Sequence, residues 1–524
     1  MNSVPRGSSA KTRLAALLWL SSSLPVFSSA ASSPVADAAM NQDRISLRTL
    51  IAQHADVNAP QADGATALHW AAHWNDEETA ALLMQAGAHP SPANRNGATP
   101  LFLASENGNA VIIRALLDAG ADVNAPVLSH GETALMLAAR SGNPDAVMVL
   151  LDRGARVDTK ENLRGTTALM WAAEQGHAAV AALLIRHGAS VDAQSSAFTP
   201  IRRRGLGFAP AAAGGQPNGS GAGIKGGLTP LIFAARQGAL DAAKTLVAAG
   251  AGVNQVSADG TAPLLAAVQN GFYDVAKFLL DHGADPNLAN AKGWTPLYLA
   301  VKNRNVEDSA VPGPKTDGSL EFIKLLLDRG ANPNQRIKAD TELHQGMLAT
   351  WLKEAGATPL IRASLCGDLA VARLLLAHDA DPSIATNDHT TALMAASGVG
   401  WAEGFLHEYS EDATLELIQL LIDAGNDVKA ANEEGITALH GAAYKGANRA
   451  VQLLVDHGAD LAAKDNGADY GFGARTVKMT ALNWAEGVPI GMSSSIYHTE
   501  TVALLRRLMQ ERSIPVVTNA MAKE

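Results

Sequence analysis

Cysteine and aromatic residues are scarce in this sequence. Its 524 residues include a single cysteine, Cys366, and aromatic residues make up only 5% of the chain. One thiol excludes an internal disulfide framework, and it excludes the multi-cysteine sites that hold structural zinc or attach haem. Because apolar residues nevertheless make up 47% of the chain, we expect a large core built from small aliphatic side chains.

The chain also lacks an excess of positive charge. Lysine and arginine total 41 residues, aspartate and glutamate total 51, and the formal net charge is −10 at pH 7. A mildly acidic protein is disfavoured as a ligand of nucleic acids or anionic membranes. We therefore expect no nucleic-acid partner for this chain.

The first thirty residues differ in composition from the rest of the chain. Basic residues come first (Arg6, Lys11 and Arg13), an apolar stretch begins at residue 14 (LAALLWL), and residues 28–30 (SSA) are small. This order is typical of a secretory signal peptide, and the apolar stretch is too short to span a bilayer as a helix. We predict a signal peptide at 1–30, a linker at 31–45, and a periplasmic or extracellular protein without stable membrane insertion after cleavage.

Two short patterns recur along the remaining chain. Residues 64–72 (GATALHWAA) return at 97–104 (GATPLFLA), and residues 116–124 (LLDAGADVN) return at 279–287 (LLDHGADPN). The first pattern has eleven starts, at Thr66, Thr99, Thr133, Thr167, Thr229, Ala262, Thr295, Thr358, Thr391, Thr437 and Thr480. The unit is 33 residues long, and wider spacings at four junctions indicate insertions. A fixed period of this length predicts a repeat architecture.

These two patterns, in register, resemble the ankyrin repeat. The resemblance implies an all-α solenoid, with helix-turn-helix units joined by short β-hairpin or loop fingers and stacked into a curved superhelix. We expect the repeat domain at 46–510, with about eleven units plus a partial one at the N-terminus, and a C-terminal tail at 511–524. The local chemistry agrees, because Thr caps a helix N-terminus, Pro suits the first helical position, and Gly ends a helix in the left-handed conformation.

The wider spacings contain two insertions of different character. Residues 197–227 are rich in Gly, Ala and Pro and predict a flexible segment; their three arginines could contact an anionic partner or remain solvated. Residues 335–356 carry apolar side chains at helical spacing and predict a short amphipathic helix, packed on the solenoid or offered to a partner. Shorter additions at 303–318 and 399–413 lengthen turns within units.

No pattern in the sequence predicts catalysis, a metal site or a cofactor. His69 and His440 follow the capping Thr by three residues, where we expect them to form structural hydrogen bonds. Cys366 has no neighbouring His and is expected to be partly exposed but inert. The alternative is an enzyme whose site is built in the insertions, with His344, His407, Glu408 and Asp412 as candidate residues.

The family resemblance implies that the chain is a scaffold that binds an unidentified protein partner, without a cofactor and as a monomer. A secreted effector that binds a host protein is an alternative to a scaffold retained near the cell. The resemblance places contact residues at the finger tips and at the ends of the first helices. This protein-binding set comprises His73, Trp74, Glu106, Asn107, Arg140, Glu174, Arg236, Trp294, Lys302, Tyr444 and Lys445. For its aromatic members, packing against the protein's own neighbouring finger is equally compatible with the sequence.

A pair of substitutions separates binding from folding. We expect Trp74→Ala to weaken capture of a partner with little change in the unfolding midpoint, because Trp is frequent among the residues that dominate interface energy. The control, Leu280→Ala, lies in a second-helix leucine pair and should lower the free energy of unfolding by about 2–5 kcal/mol. Urea unfolding and partner capture are measured on both variants. A large stability loss in Trp74→Ala with binding intact would contradict the prediction.

Overall fold

The structure is a computed structural model that describes residues 33–126, 130–199, 224–305, 318–339, 352–401, 409–467, 477–488 and 496–516. Within these ranges the chain forms 24 α-helices. They are α1 Pro34–Met40, α2 Arg44–Ala52, α3 Ala67–His73, α4 Glu77–Gln85, α5 Pro100–Asn107, α6 Ala110–Asp118, α7 Ala134–Ser141, α8 Pro144–Asp152, α9 Ala168–Gln175, α10 Ala178–Arg186, α11 Pro230–Gln237, α12 Leu240–Ala248, α13 Pro263–Gln269, α14 Tyr273–Asp281, α15 Pro296–Arg304, α16 Ser319–Asp328, α17 Pro359–Cys366, α18 Leu369–Leu376, α19 Ala392–Ala396, α20 Glu411–Asp423, α21 Ala438–Lys445, α22 Asn448–Asp456, α23 Ala481–Ala485 and α24 Thr499–Glu511.

The helices are arranged in consecutive pairs, and each pair is one repeat unit. Odd-numbered helices, the first of each unit, pack against the odd-numbered helices of adjacent units, and even-numbered helices pack against even-numbered ones. The result is two helical layers with a single continuous core between them, which the predicted all-α solenoid anticipated. No helix in the described ranges combines the length and apolarity needed to cross a membrane.

The threonine at the start of most units performs the predicted capping. The Thr99 hydroxyl accepts a hydrogen bond from the Phe102 backbone amide at 3.2 Å, and Thr295 accepts one from Tyr298 at 3.1 Å. This bond satisfies an amide that has no partner within the helix. Where Ala262 replaces threonine, no side chain caps α13, and proline at its first turn supplies the helical φ angle instead.

The alanines and leucines of the signature fill the space between units. Ala71 and Ala72 of α3, Ala138 and Ala139 of α7, and the equivalent pairs of later units are buried almost completely. Leu83 and Leu116 of the second helices are also buried. Small side chains on the first helices let neighbouring units approach closely, and the second helices supply the larger aliphatic groups. A unit alone would leave these faces in water, so stacking is what stabilises them.

The fingers between units are joined by backbone hydrogen bonds rather than by extended strands. One amide of each finger donates to a carbonyl of the preceding finger, as from Arg95 to Asp63 at 2.8 Å and from Ser196 to Arg164 at 2.7 Å. Further examples are Ala291 to Asp259, Asn387 to Ala355 and Asn466 to Glu434. The described residues contain only isolated β-bridges. Of the two forms that the family resemblance implies for the fingers, the described fingers are therefore closer to loops than to β-hairpins.

The asparagine that ends the second pattern links one unit to the next. The Asn124 side-chain amide donates to the Gly154 carbonyl at 3.0 Å, and its oxygen accepts from the Arg156 amide at 2.8 Å. Asn58, Asn254, Asn287 and Asn334 make the same pair of bonds to the unit that follows each of them.

The predicted linker at 31–45 is wrong. Helix α1 occupies Pro34–Met40, buries Val35 and three alanines, and packs against α2 and α3, so the N-terminal unit is a complete helix pair. Residues 33–39 (SPVADAA) are the first-helix signature with Ser for Thr and Val for Leu, 33 residues before Thr66. Two conservative replacements hid this unit. At the other end, the last helix runs to Glu511, one residue beyond the predicted boundary of the repeat domain.

Most of each predicted insertion lies outside the described residues. Residues 200–223 of the first insertion and 340–351 of the second are not described, so the flexible segment and the amphipathic helix remain predictions. The last part of the second insertion packs on the solenoid. Leu352 is buried, and a Cβ added to Gly400 would lie 2.6 Å from the Leu352 Cβ.

One turn after a second helix has a strained backbone. Asp379 stands where most units have the glycine that follows the second helix, and it adopts a left-handed φ of +64°. Gly87 and Gly120 have φ angles of +86° and +96° at the equivalent turn. A residue with a Cβ pays roughly 1–2 kcal/mol for this conformation. The turn is therefore the same in shape, and less stable, where glycine is missing.

His69 and His440 are structural, as the sequence predicted. In His69 the Nδ1 atom accepts from the Thr66 backbone amide at 3.0 Å, and Nε2 lies 3.0 Å from the Ala98 carbonyl of the next finger. A carbonyl only accepts, so Nε2 must carry the proton and the ring is held in one neutral tautomer. Burial lowers the pKa of His69 below its usual value. His69 thus caps the N-terminus of α3 and links two repeat units through a hydrogen bond.

The buried neutral state of His69 predicts a pH dependence of stability. As pH falls through about 6.5, the unfolded chain protonates this imidazole before the folded chain does, so stability decreases. His69→Asn should keep the cap, since Asn483 accepts from the Thr480 amide at 3.1 Å in the last unit. Urea unfolding of both proteins from pH 7.5 to 5.0 should show a smaller acid loss in the variant. Equal losses would contradict this account.

Candidate functional site

Most of the predicted contact residues lie at or next to the C-terminal ends of the first helices, whereas Trp294 lies on a finger directly before α15. His73 ends α3, Glu106 and Asn107 end α5, Arg140 lies near the end of α7, and Arg236 lies near the end of α11. All five are exposed, and Glu174, Lys302 and Lys445 at the equivalent positions are half-buried. Stacking of the units therefore places these equivalent side chains in one row along the first helices.

Two aromatic members of the predicted set are not exposed contact residues. The Trp294 side chain is only 8% exposed, its indole N–H donates to the Ala339 carbonyl at 3.3 Å, and the Lys292 Nζ lies 4.7 Å from its ring. Tyr444 is also 8% exposed, with Trp401 and Trp484 in edge-to-face contact at about 6 Å. Both residues pack against neighbouring units, which was the alternative left open by the sequence.

Asn107 is used mainly within the fold. Its side-chain amide donates to the Ala72 carbonyl at 3.1 Å and to the His73 carbonyl at 3.0 Å. Asn303 makes the equivalent bond to the Val268 carbonyl at 2.8 Å. These carbonyls end the preceding first helix and have no partner inside it. An asparagine at this position therefore caps its neighbour, and it carries little evidence for an external partner.

Trp74 is the aromatic residue that the N-terminal units expose. Its side chain is 44% exposed, its indole N–H donates to the Met40 carbonyl at 3.1 Å, and its ring meets the His73 ring at 4.7 Å between centroids. The hydrogen bond and the ring contact thus hold the indole in one orientation while the residue remains exposed. A fixed aromatic side chain loses little conformational entropy when a partner covers it.

A cleft of about 320 Å³ opens on the same layer in the central units. We call it the Trp171 cleft, and it is lined by Arg140, Arg164, Trp171, Glu174, Gln175 and Gln237. The Arg140 guanidinium lies 5.2 Å from the centre of the Trp171 ring and bonds Glu106 at 3.0 Å. The Trp171 indole N–H donates to the Thr166 hydroxyl at 2.8 Å. The cleft thus brings two of the predicted contact residues, Arg140 and Glu174, next to the Trp171 ring, whose orientation is fixed by its hydrogen bond.

Trp171 is absent from the predicted contact residues because its position in the repeat predicts a buried side chain. It follows the capping Thr167 by four residues, within the signature (TALMWAA), where an aliphatic residue would be expected to face the core. Trp70 has the same place in its own unit, and both rings are half-buried. The residue type alone does not decide exposure, because Trp484 has the same place in the last unit and is fully buried. No local signal in the sequence therefore distinguishes Trp171 as a surface residue.

A second concentration of polar side chains is buried where two short additions meet. The Arg304 Nε atom donates to Asp368 at 2.8 Å, and its Nη1 atom donates to Ser319 at 2.9 Å. The Tyr409 hydroxyl lies 2.9 Å from the same Asp368 oxygen and 3.0 Å from Asn305. Burial raises the pKa of Tyr409, and the Asp368 carboxylate raises it further, so the hydroxyl remains a donor.

This cluster connects elements rather than activating a group. Asp368 also caps α18, because its other oxygen accepts from the Val371 amide at 3.2 Å. Cys366 is buried nearby, contrary to the expected partial exposure, since its unit is covered on the side where other units are open. Burial raises the pKa of its thiol to about 11, so the nucleophilic thiolate is rare at neutral pH.

The described residues do not assemble the catalytic candidates of the alternative hypothesis. His344, His407 and Glu408 lie outside the described ranges. Asp412 is exposed and pairs with Arg449 at 2.6 Å on the outer layer. No group of three or more His, Cys, Asp or Glu side chains in the described part of the chain could hold a metal ion.

The Asp368 cluster predicts a large effect on stability. Asp368→Ala leaves the Arg304 charge buried without its partner and removes the cap of α18, so we expect a loss of about 3–5 kcal/mol in the free energy of unfolding. The control is Glu416→Ala, which breaks an exposed pair with Arg373. That change should cost less than about 1 kcal/mol. Urea unfolding compares the two, and similar losses would contradict the prediction.

Comparison with known proteins agrees with this architecture. The family model described as "Ankyrin repeats (3 copies)" matches residues 35–127, 125–195, 231–337 and 406–489, and the model described as "Ankyrin repeat" matches 355–387. Together the matches cover more than half of the chain.

Individual relatives share only part of this length. The neurogenic locus notch homolog protein 1 of Homo sapiens is 48% identical over 58 residues, which are 11% of this chain and 2% of that protein. Its Xenopus tropicalis counterpart is 49% identical over 55 residues, 10% of this chain and 2% of that protein. This chain therefore aligns with about 2% of the length of these curated relatives. The crystal structure of the human ASB11 ankyrin repeat domain has a TM-score of 0.39 and 26% identity, covering 49% of this chain and 100% of that domain.

Proposed function

This chain belongs to the ankyrin-repeat family, and on that premise we propose that it is a non-catalytic scaffold for another protein. The proposed contact surface is the row formed by the ends of the first helices together with the Trp171 cleft. The observation that carries the proposal is the exposed, oriented ring of Trp74 on the same layer as the Trp171 cleft. Trp and Arg are frequent at the centres of protein interfaces.

The charge of the row supports a protein partner. Arg140 and Glu106 pair across adjacent units, Glu174 lies beside them, and Arg236 has its guanidinium about 6.0 Å from the Phe233 ring. Mixed charges next to aromatic rings suit a protein surface, which presents both signs and apolar groups. A uniform phosphate backbone would instead favour a strongly basic row.

We also propose that the scaffold acts outside the cytoplasm. The proposal depends on the basic, apolar and small-residue order of positions 1–30. It is supported by the position of α1, whose N-cap Ser33 follows the proposed cleavage point by three residues. Cleavage there would leave the first repeat unit intact.

A site-specific cross-linking experiment tests both parts of this proposal. A photoreactive phenylalanine derivative replaces Glu106 or Arg236 on the first helices, and Arg114 or Lys244 on the second helices of the same units serves as the matched control. Cells that express the full chain are fractionated, the N-terminus of the chain is sequenced, and the fraction that holds it is irradiated. We expect a chain that begins near residue 31, recovered outside the cytoplasm, with adducts from the first-helix positions alone.

Each part can fail separately. Recovery of an uncleaved chain from the cytoplasm would overturn the proposed export but not the proposed scaffold function. Equal adducts from second-helix positions, or none from any position, would overturn the proposed contact surface. Recovery of the chain from the medium instead of the periplasm would favour the released effector over the retained scaffold.

A further inference from the structure

Two arginines line the Trp171 cleft, and the protein itself pairs one of them with a carboxylate. Arg140 and Arg164 both line the cleft, although the chain as a whole has a formal net charge of −10. Arg140 pairs with Glu106, whereas Arg164 lines the cleft without an ion pair to a described residue. An arginine that its own protein does not pair can complement an anionic group of a partner.

The donors of these arginines are largely available. The Arg164 side chain makes no hydrogen bond or ion pair with any described residue, and its backbone amide is held by the Glu161 carboxylate. Arg140 uses one nitrogen on Glu106 and lies with its guanidinium against the Trp171 ring. A guanidinium has five N–H groups, so donors remain on both side chains. Contact with the Trp171 ring fixes the position of the Arg140 donors, and the finger backbone fixes the position of Arg164.

Glu174 limits the kind of anionic group that the cleft can bind. Its carboxylate lies in the same cleft and forms no ion pair with Arg140 or Arg164 in the structure. A phosphate, which carries nearly two negative charges, would be repelled by it more strongly than a singly charged carboxylate. Gln175 and Gln237 add amide groups that can both donate to and accept from a peptide main chain. The lining therefore suits a carboxylate carried by a polypeptide.

Apolar side chains are exposed on the finger that carries Arg164 and on the two fingers that follow it. Leu163, next to Arg164, is 64% exposed, and Phe198, Ile224 and Val256 on the following fingers are also exposed. The fingers are held side by side by the bond from Ser196 to Arg164 and by that from Ala258 to Gly226 at 3.0 Å. Exposed apolar groups on adjacent, hydrogen-bonded fingers are suited to contact apolar residues of a partner.

We propose that the Trp171 cleft binds an acidic side chain of an extended partner segment whose neighbouring residues are apolar. Arg164 and Arg140 bind the carboxylate, Glu174 and the two glutamines bind main-chain or side-chain donors beside it, and the finger edge covers the apolar residues. This inference rests on the proposed scaffold function and specifies the chemistry of its partner.

Selection from a random dodecapeptide library, displayed with blocked C-termini, tests the inference on the full chain. We expect Asp or Glu to be enriched at one aligned position with apolar residues beside it. A selected peptide, synthesised with an amidated C-terminus, is then titrated by fluorescence anisotropy. Arg164→Gln should weaken its binding about tenfold or more, since a charge-assisted bond to a carboxylate is lost. The control, Arg186→Gln on the second helix of the same unit, should change binding by less than about twofold.

A double-substitution cycle identifies the paired groups. Replacing the enriched acidic residue with its amide should weaken binding to the wild-type chain by a similar factor and should weaken binding to Arg164→Gln little further. Selection of no peptide, absence of acidic enrichment, an Arg164→Gln affinity equal to wild type, or binding only with a free C-terminal carboxylate would each overturn the inference. A partner still cross-linked at the Glu106 position would then show that the scaffold stands and only the cleft assignment has failed.

Discussion

Stacking between adjacent units is the constraint on which the rest of this structure depends. Each helix pair has an apolar face on both sides and can bury it only against its neighbours. Paired alanines such as Ala138 and Ala139 make the close approach possible, and the Asn124-type amide fixes the relative position of two units through bonds to a carbonyl and an amide of the next one. The fingers then join edge to edge, because their spacing is already set.

The insertions interrupt this regularity without ending it. Where the chain lengthens within units, a buried polar cluster replaces part of the usual aliphatic contact. Asp368 accepts hydrogen bonds from Arg304 of α15 and from Tyr409 before α20, and Arg304 also donates to Ser319 of α16. A second buried pair joins Arg362 of α17 to Glu354 at 2.6 Å. Buried ion pairs contribute less to stability than to the choice of one arrangement, because desolvation offsets most of their attraction. Here that arrangement positions the added segments against the solenoid.

The same regularity creates the proposed binding surface. Because equivalent positions of successive units fall in a row, a few departures from the signature are enough to build a site across several units. Trp171 in place of an aliphatic residue and Arg164 at a finger tip produce a cleft that no unit contains alone. The proposed function therefore depends on the few residues that the repeat does not require.

The sequence by itself determined the repeat, its 33-residue period, the caps and the structural histidines, because each depends on residues close together in the chain. It hid the first unit behind Ser33 and Val35, since a weak match has no neighbour on one side to support it. Only the tertiary structure decided that Trp294 and Tyr444 are buried, that Cys366 is covered, and that Trp171 joins Arg140 in a cleft. The exposure of a side chain is set by residues one unit away, and a local pattern carries no information about how large those neighbours are.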